Sequence, residues 1–211
     1  MPDQPETTSH LNLLSDLVKM AAKAGADAAD AVMFTSETLS ASQRMGTPEK
    51  VTRSESSDIG LRIIHNQRQA VVSATDLSPL ALNEVVGRAM AMVKTVPEDP
   101  YCGLADPDQL ATHMPDLDLA DPQAPDAEAL VERAKILEEA ALAVPGVTNS
   151  EGAEAKWTRS HVAMAASNGF AGGYATTRHF VIIEAVAGVG LEMECDHEYR
   201  SCTHGGDLED M

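Results

Sequence analysis

Aromatic residues are scarce: Phe, Trp and Tyr together make up 3% of the 211 residues. A core built without them must come from Ala, Val, Leu, Ile and Met, and a stacking platform for nucleic-acid bases is nearly excluded. Basic residues are scarce too. Fifteen Lys and Arg stand against 33 Asp and Glu, a formal net charge of −18. A field of that sign repels a phosphate backbone, so no direct nucleic-acid binding is expected. Cysteine is limited to Cys102, Cys195 and Cys202, an odd and scattered set that argues against a disulfide framework and for a reducing, cytoplasmic compartment. Long hydrophobic runs are missing as well. The most apolar-leaning stretch, Phe180 to Leu191, is interrupted by Glu184, Gly188 and Gly190 and is too short to cross a bilayer as a helix. Residues 1–10 carry neither the cationic nor the apolar region of a signal peptide, so no membrane association is expected.

What is present supports a folded domain: 44% of the residues are apolar. Leu11, Leu14, Val18, Ala21 and Ala22 recur at helical spacing, predicting a helix over 11–23 that Gly25 ends. The period then changes. Ala31, Met33, Leu39 and Ala41 alternate as in a strand over 30–44, and a short strand is expected over 51–55. Ile59, Leu61 and Ile63 alternate into the turn His65–Arg68, with 70–75 as the return strand. Ser78–Pro79 is a helix start, serine capping and proline in the first position, for a helix to about Lys94 along Leu82, Val86, Ala89 and Val93.

Residues 95–125 hold six prolines, many carboxylates and no Lys or Arg, and read as a long acidic connection. A helix over 126–143 follows, with Leu130, Ala134, Leu137 and Ala141 on one stripe. Asn149–Gly152 reads as a turn. Val162, Met164 and Ala166 alternate into Ser167–Asn168–Gly169, a strong hairpin signal, and 176–186 is the return strand. No βαβ rhythm recurs. The expected fold class is α+β: a mostly antiparallel sheet backed by helices, with a long acidic connecting loop. Residues 1–195 are expected to form one domain, and 196–211 a connection leading out of it.

His197–Glu198 begins like a zinc-peptidase signature, which needs His-Glu-x-x-His on a helix so that two imidazoles share one face. Position 201 is Ser, the next histidine is His204, and Gly205–Gly206 would break such a helix. Cys195, His197, Cys202 and His204 are chemically able to bind adventitious zinc, yet the segment is expected to be ordinary polar chain. The glycines of Ser167–Gly173 suit a hairpin better than an anion cradle, since no strand–glycine–helix grammar surrounds them. Arg62, Arg68, Arg159 and Arg178 are expected to pair with carboxylates or to line a substrate face. Trp157 is expected in the core or at its edge. No catalytic, cofactor-binding or metal residue is assigned.

These pieces resemble the PmbA/TldE branch of the TldD/PmbA family, historically called modulators of DNA gyrase. The resemblance runs in order through Gly25–Ala29 (GADAA), Leu61–Ile63 (LRI) and Ser73–Pro79 (SATDLSP). It continues through Glu98–Asp106 (EDPYCGLAD), Asp116–Leu119 (DLDL), Asn149–Gly152 (NSEG) and Ser167–Gly173 (SNGFAGG). It implies a cytoplasmic, non-catalytic subunit that contributes structure and a substrate channel to a heterodimeric zinc metallopeptidase. The zinc would be held by a TldD-like partner carrying His-Glu-x-x-x-His, and the substrates would be small or unfolded peptides. Family members are about twice this length, and another helix is expected to begin in 207–211. One departure stands out: Cys195–Asp196–His197 replaces the family's Arg-Asp-Tyr pattern. The alternative is an acidic adaptor that recognises basic peptides without peptidase activity, and a third reading is an independent enzyme built on the Cys/His cluster.

Overall fold

The computed structural model describes residues 4–208, with side chains from residue 7 onward. Three helices, α1 (Gln4–Lys23), α2 (Pro79–Val93) and α3 (Ala127–Leu142), accompany six strands. The strands are β1 (Ala28–Arg44), β2 (Thr47–His65), β3 (Arg68–Ala74), β4 (Val147–Ala166), β5 (Ala171–Ala187) and β6 (Glu194–Cys202). They form one antiparallel sheet in the order β3-β2-β1-β4-β5-β6. The expected α+β class with a mostly antiparallel sheet is what the chain adopts. No helix among the described residues is long and apolar enough to cross a membrane. The part of the expected terminal helix beyond Leu208 lies outside the described residues.

The chain divides into two compact units, and β1, β2, β4 and β5 contribute residues to both. In the unit made of residues 1–35, 56–117 and 161–175, α1 buries Leu14, Leu17, Val18 and Ala21, spaced as one helical face requires. Leu17 takes the place expected for Ala22. α2 adds Leu82, Val85, Val86, Ala89, Met90 and Val93, and the strands add Ala31, Met33, Ile59, Leu61 and Ile63. Burying each Leu, Ile or Val in this core contributes about 1.5–3 kcal/mol. α2 begins as its sequence dictates: Ser78 Oγ accepts from Ala81 N at 3.3 Å and Pro79 follows. The β2–β3 turn lies at Asn66 and Gln67, whose φ values of 50° and 55° are those of a tight hairpin turn. The other expected hairpin forms at 167–169, where Phe170 N donates to Asn168 Oδ1 at 3.2 Å.

In the unit made of residues 36–55, 118–160 and 176–211, α3 lays Leu130 and Ala134 on Ala41, Ala153, Ala155, Trp157, Val181 and Ile183. Asp126 caps this helix, accepting from Ala129 N at 2.8 Å. Between α2 and α3 the only regular element described is the short 3-10 turn Pro107–Gln109.

Three expectations are corrected. Residues 51–55 are not a separate short strand, because β2 runs unbroken from Thr47 to His65. Asn149–Gly152 is not a turn between elements but lies inside β4. The turn-like composition reflects a local irregularity: Gly152 has φ 126° and accepts no Cβ easily, since one would sit 3.3 Å from the Gln43 carbonyl oxygen. Residues 196–202 are not ordinary polar chain leading out of the fold but most of β6, paired with β5 from Ala187↔Glu194 to His179↔Cys202. The expected boundary after residue 195 therefore falls inside a strand. Almost every β6 side chain is exposed, so the strand had no apolar alternation to betray it.

Candidate functional site

His197 and Glu198 sit on an edge strand, and adjacent strand residues point to opposite faces. Cys195 and His197 share one face of β6, opposite Val186 and Glu184, while Cys202 is on the other face, opposite His179. His204 lies beyond the strand, with Nε2 3.3 Å from Asp118 Oδ1. Zinc therefore has no fitting donor set here: the four side chains do not converge. The Cys202 thiol is also held above its usual range by burial and by Asp207 and Asp121, the opposite of what a thiolate ligand needs.

The buried titratable constellation of this unit is built on the inward face of β5. Thr177, His179, Val181 and Ile183 share that face, and α3 covers part of it. His179 is 2% exposed, and Nδ1 lies 3.4 Å from Nη1 of Arg133 on α3. A guanidinium can only donate, so Nδ1 accepts and the ring proton sits on Nε2. Nε2 lies 3.2 Å from Asp121 Oδ2, too oblique for a good hydrogen bond, so the contact is mainly electrostatic.

Asp121 also accepts from Gln123 N through Oδ1 and from Gly205 N through Oδ2, both at 2.8 Å. Asp121 N donates to Thr177 Oγ1 at 2.7 Å, and that hydroxyl donates to the Thr203 carbonyl at 2.9 Å. Burial alone would raise the Asp121 carboxyl, but the two backbone N–H groups and the neighbouring histidines outweigh it and hold it low. Burial and then Arg133 push His179 down, so it stays neutral near pH 7. The cluster has an acid and an imidazole but no activated nucleophile within the described contacts. Its geometry ties segments 119–123 and 203–205 to β5.

A second buried carboxylate does similar work. Glu138 of α3 is fully buried and accepts from Met45 N at 2.7 Å, Gly46 N at 2.8 Å and Gln43 Nε2 at 3.1 Å. Those donors form the β1–β2 turn and its approach. Burial pushes the Glu138 carboxyl up, and these donors together with Ser150 pull it below its ordinary range.

The outward face of the same strands is different in kind. Lys156, Thr158 and Ser160 of β4 and Thr176, Arg178 and Phe180 of β5 line an open groove of about 420 Å³. Lys156 Nζ lies 5.9 Å, and Arg178 Cζ 5.5 Å, from the centre of the Phe180 ring, a geometry suited to cation–π attraction. Tyr199 of β6 lies beside Phe180, with ring centroids 6.1 Å apart. Cations, hydroxyls and an aromatic wall give this surface groups able to hold a ligand.

The arginines singled out in the sequence do separate jobs. Arg62 meets Asp30 at 2.6 Å, Arg68 meets Glu98 at 2.8 Å, and Arg178 lines the groove. Arg159, in the stretch of β4 that includes the groove's Thr158 and Ser160, is not among the groove residues. Trp157 is core, 3% exposed. The glycines of Ser167–Gly173 serve the hairpin: Ala166 N donates to the Phe170 carbonyl at 2.9 Å. Asp121, Arg133, Glu138 and His179 were not singled out. A signal existed for His179, which shares strand parity with Val181 and Ile183. None existed for Asp121 or Glu138, whose partners include residues 84 to 95 positions away along the chain.

Known proteins place the chain. The family model described as PmbA/TldA metallopeptidase domain 1 matches residues 29–93, and the model described as the central domain of that family matches 120–211. The metalloprotease PmbA of Escherichia coli O157:H7 is 32% identical over 184 residues, 87% of this chain and 41% of that protein. A PmbA homologue of Haemophilus influenzae is 33% identical over 187 residues, 88% of this chain and again 41% of the relative. Among solved structures, a candidate modulator of DNA gyrase from Bacteroides thetaiotaomicron superposes with a TM-score of 0.85 at 21% identity. That match covers 93% of this chain and 45% of the other. TldE from Thermococcus kodakarensis superposes with a TM-score of 0.75 at 15% identity, over 90% and 43%. At such identities the structures establish the shared fold alone. The chain spans less than half the length of the curated relatives it matches, and by its two family domains it belongs to the PmbA/TldD metallopeptidase family.

Proposed function

We propose that this chain is the N-terminal, structural and substrate-channel part of a non-catalytic PmbA/TldE-like subunit in a heterodimeric zinc metallopeptidase. The zinc belongs to a TldD-like partner, the substrates are small or unfolded peptides, and the setting is the cytoplasm. The observation that carries this reading is the position of His197–Glu198, the chain's one peptidase-like beginning. It lies on an antiparallel edge strand, with Ser201 where a helical motif would need histidine and His204 outside the strand. A helix would bring residues four apart to one face, whereas β6 spreads them along an edge. The buried carboxylates Asp121 and Glu138 are committed to backbone N–H groups, as expected of a scaffold.

Reconstitution tests the reading. The full-length protein mixed with its TldD-like counterpart should cleave unfolded peptides in a reaction abolished by a chelator and restored by zinc. Neither protein alone should match the mixture. Full activity from this protein alone would overturn the assignment.

A further inference from the structure

We infer that the outward groove of β4 and β5 binds an extended peptide through an Asp or Glu side chain, received by Arg178 with Lys156 beside it. The inference deepens the peptide-channel reading and rests on it for its biological meaning, but the binding is measurable without the partner or any cleavage.

The argument begins with an accounting of cations. In a chain of 15 Lys and Arg among 33 acids, a basic side chain is expected to find a carboxylate. Arg44, Arg53, Arg62 and Arg68 each do. Arg178 does not. Its Nε donates to Ser201 Oγ at 2.6 Å and its guanidinium carbon lies 5.5 Å from the Phe180 ring, and among the described residues it has no acidic partner. The serine and the ring fix the plane of the guanidinium and leave its Nη groups for a ligand. An arginine held in this way is prepared for two-pronged capture of a carboxylate, because little side-chain freedom remains to be lost.

The surroundings favour the same ligand. Lys156 approaches the same ring from β4 and is only partly neutralised by Glu154, 3.3 Å away and itself one-third exposed. Thr158, Ser160 and Thr176 supply hydroxyls that can donate to a carboxylate or a peptide carbonyl, and Phe180 and Tyr199 offer an apolar wall. Thr38 Oγ1 lies 3.1 Å from Thr158 Oγ1 and continues the hydroxyl row onto β1. An open groove on the face of extended strands suits a side chain within an extended segment rather than a chain end. The net charge of −18 does not forbid an acidic ligand, because at physiological salt charges are screened beyond about 8 Å and the cations act inside that distance.

Fluorescence anisotropy on the 211-residue chain tests the inference with two labelled, C-terminally amidated peptides that differ only by Asp/Glu against Asn/Gln. The acidic peptide should bind roughly tenfold more tightly, the scale of one charge-assisted contact, and the preference should fall as salt rises. Arg178→Gln should erase the preference, and Arg178→Lys should leave part of it. Arg200→Gln, on the opposite face of β6 from Tyr199, removes the same charge and should change nothing, which separates local capture from overall charge. Circular dichroism confirms that the variants are folded. Equal affinity for the two peptides overturns the inference, as does a preference that survives Arg178→Gln. It is equally overturned if binding needs a free terminal carboxylate, if a single-stranded oligonucleotide displaces the peptide, or if Arg178→Gln instead changes the oligomeric state, marking the face as a contact between copies.

Discussion

His179 and Asp121 meet inside the fold, with Nε2 of the imidazole 3.2 Å from Oδ2 of the carboxylate. Arg133 fixes the tautomer by donating to the other ring nitrogen. The pair resembles two-thirds of a catalytic triad, yet each oxygen of the aspartate accepts a backbone N–H. A carboxylate used in this way fastens chain segments.

Removing it should loosen those segments. Asp121→Ala leaves the N–H groups of Gln123 and Gly205 without acceptors, and each stranded donor should cost about 1–3 kcal/mol in urea denaturation. Gly205→Ala should destabilise by a different route, since a Cβ there would lie 2.9 Å from His179 Cε1. Amide exchange should quicken around residues 119–123 and 203–208 in both variants, with β3 unaffected.

Stability should fall in two stages on acidification. The folded state holds His179 below its ordinary 6.5, so the unfolded chain takes a proton there first, and stability is lost as pH drops below about 6.5 until the folded histidine also protonates. Burial is the main cause, and Arg133, Asp121 and His204 are the charged or titratable groups that modify it. Asp121 and Glu138 are held below their ordinary 3.8 and 4.5, so their contribution is intact above those values and lost beneath them. Urea midpoints measured from pH 8 to pH 3 should show both stages, and His179→Gln should flatten the first alone.

Glu138 should be more sensitive than an ordinary helix glutamate. Glu138→Ala leaves the N–H groups of Met45 and Gly46 and the Gln43 amide facing a void, a loss of about 2–5 kcal/mol for a buried, multiply bonded carboxylate. Thermal denaturation measures it, with Glu139→Ala, its exposed neighbour, as the control expected to change little.

Trp157 should tolerate a change that looks severe. Its indole N–H is buried without a hydrogen-bond partner among the described residues, so Trp157→Phe removes an unsatisfied donor while keeping most of the ring. The gain of about 1 kcal/mol from the donor should offset much of the lost packing, whereas Trp157→Ala should cost about 3–5 kcal/mol.

The residues themselves determined a good deal. Helical spacing of Leu14, Val18 and Ala21, the Ser78–Pro79 start, the Asn168–Gly169 hairpin and the alternation of Ile59, Leu61 and Ile63 are local signals. The backbone answers them within a few residues. The ordered run of family-like segments was equally readable, because it depends on residue identity. Only the tertiary structure decided that Cys195–Cys202 is a strand, since an exposed edge strand buries nothing and needs no apolar alternation. It alone brought Glu138 to a turn 92 positions away and Asp121 to Gly205 across 84. It also left Arg178 without an acid among the described residues of a chain rich in them. Those pairings are long-range choices, made when helices and strands settle their packing, and no local pattern encodes them.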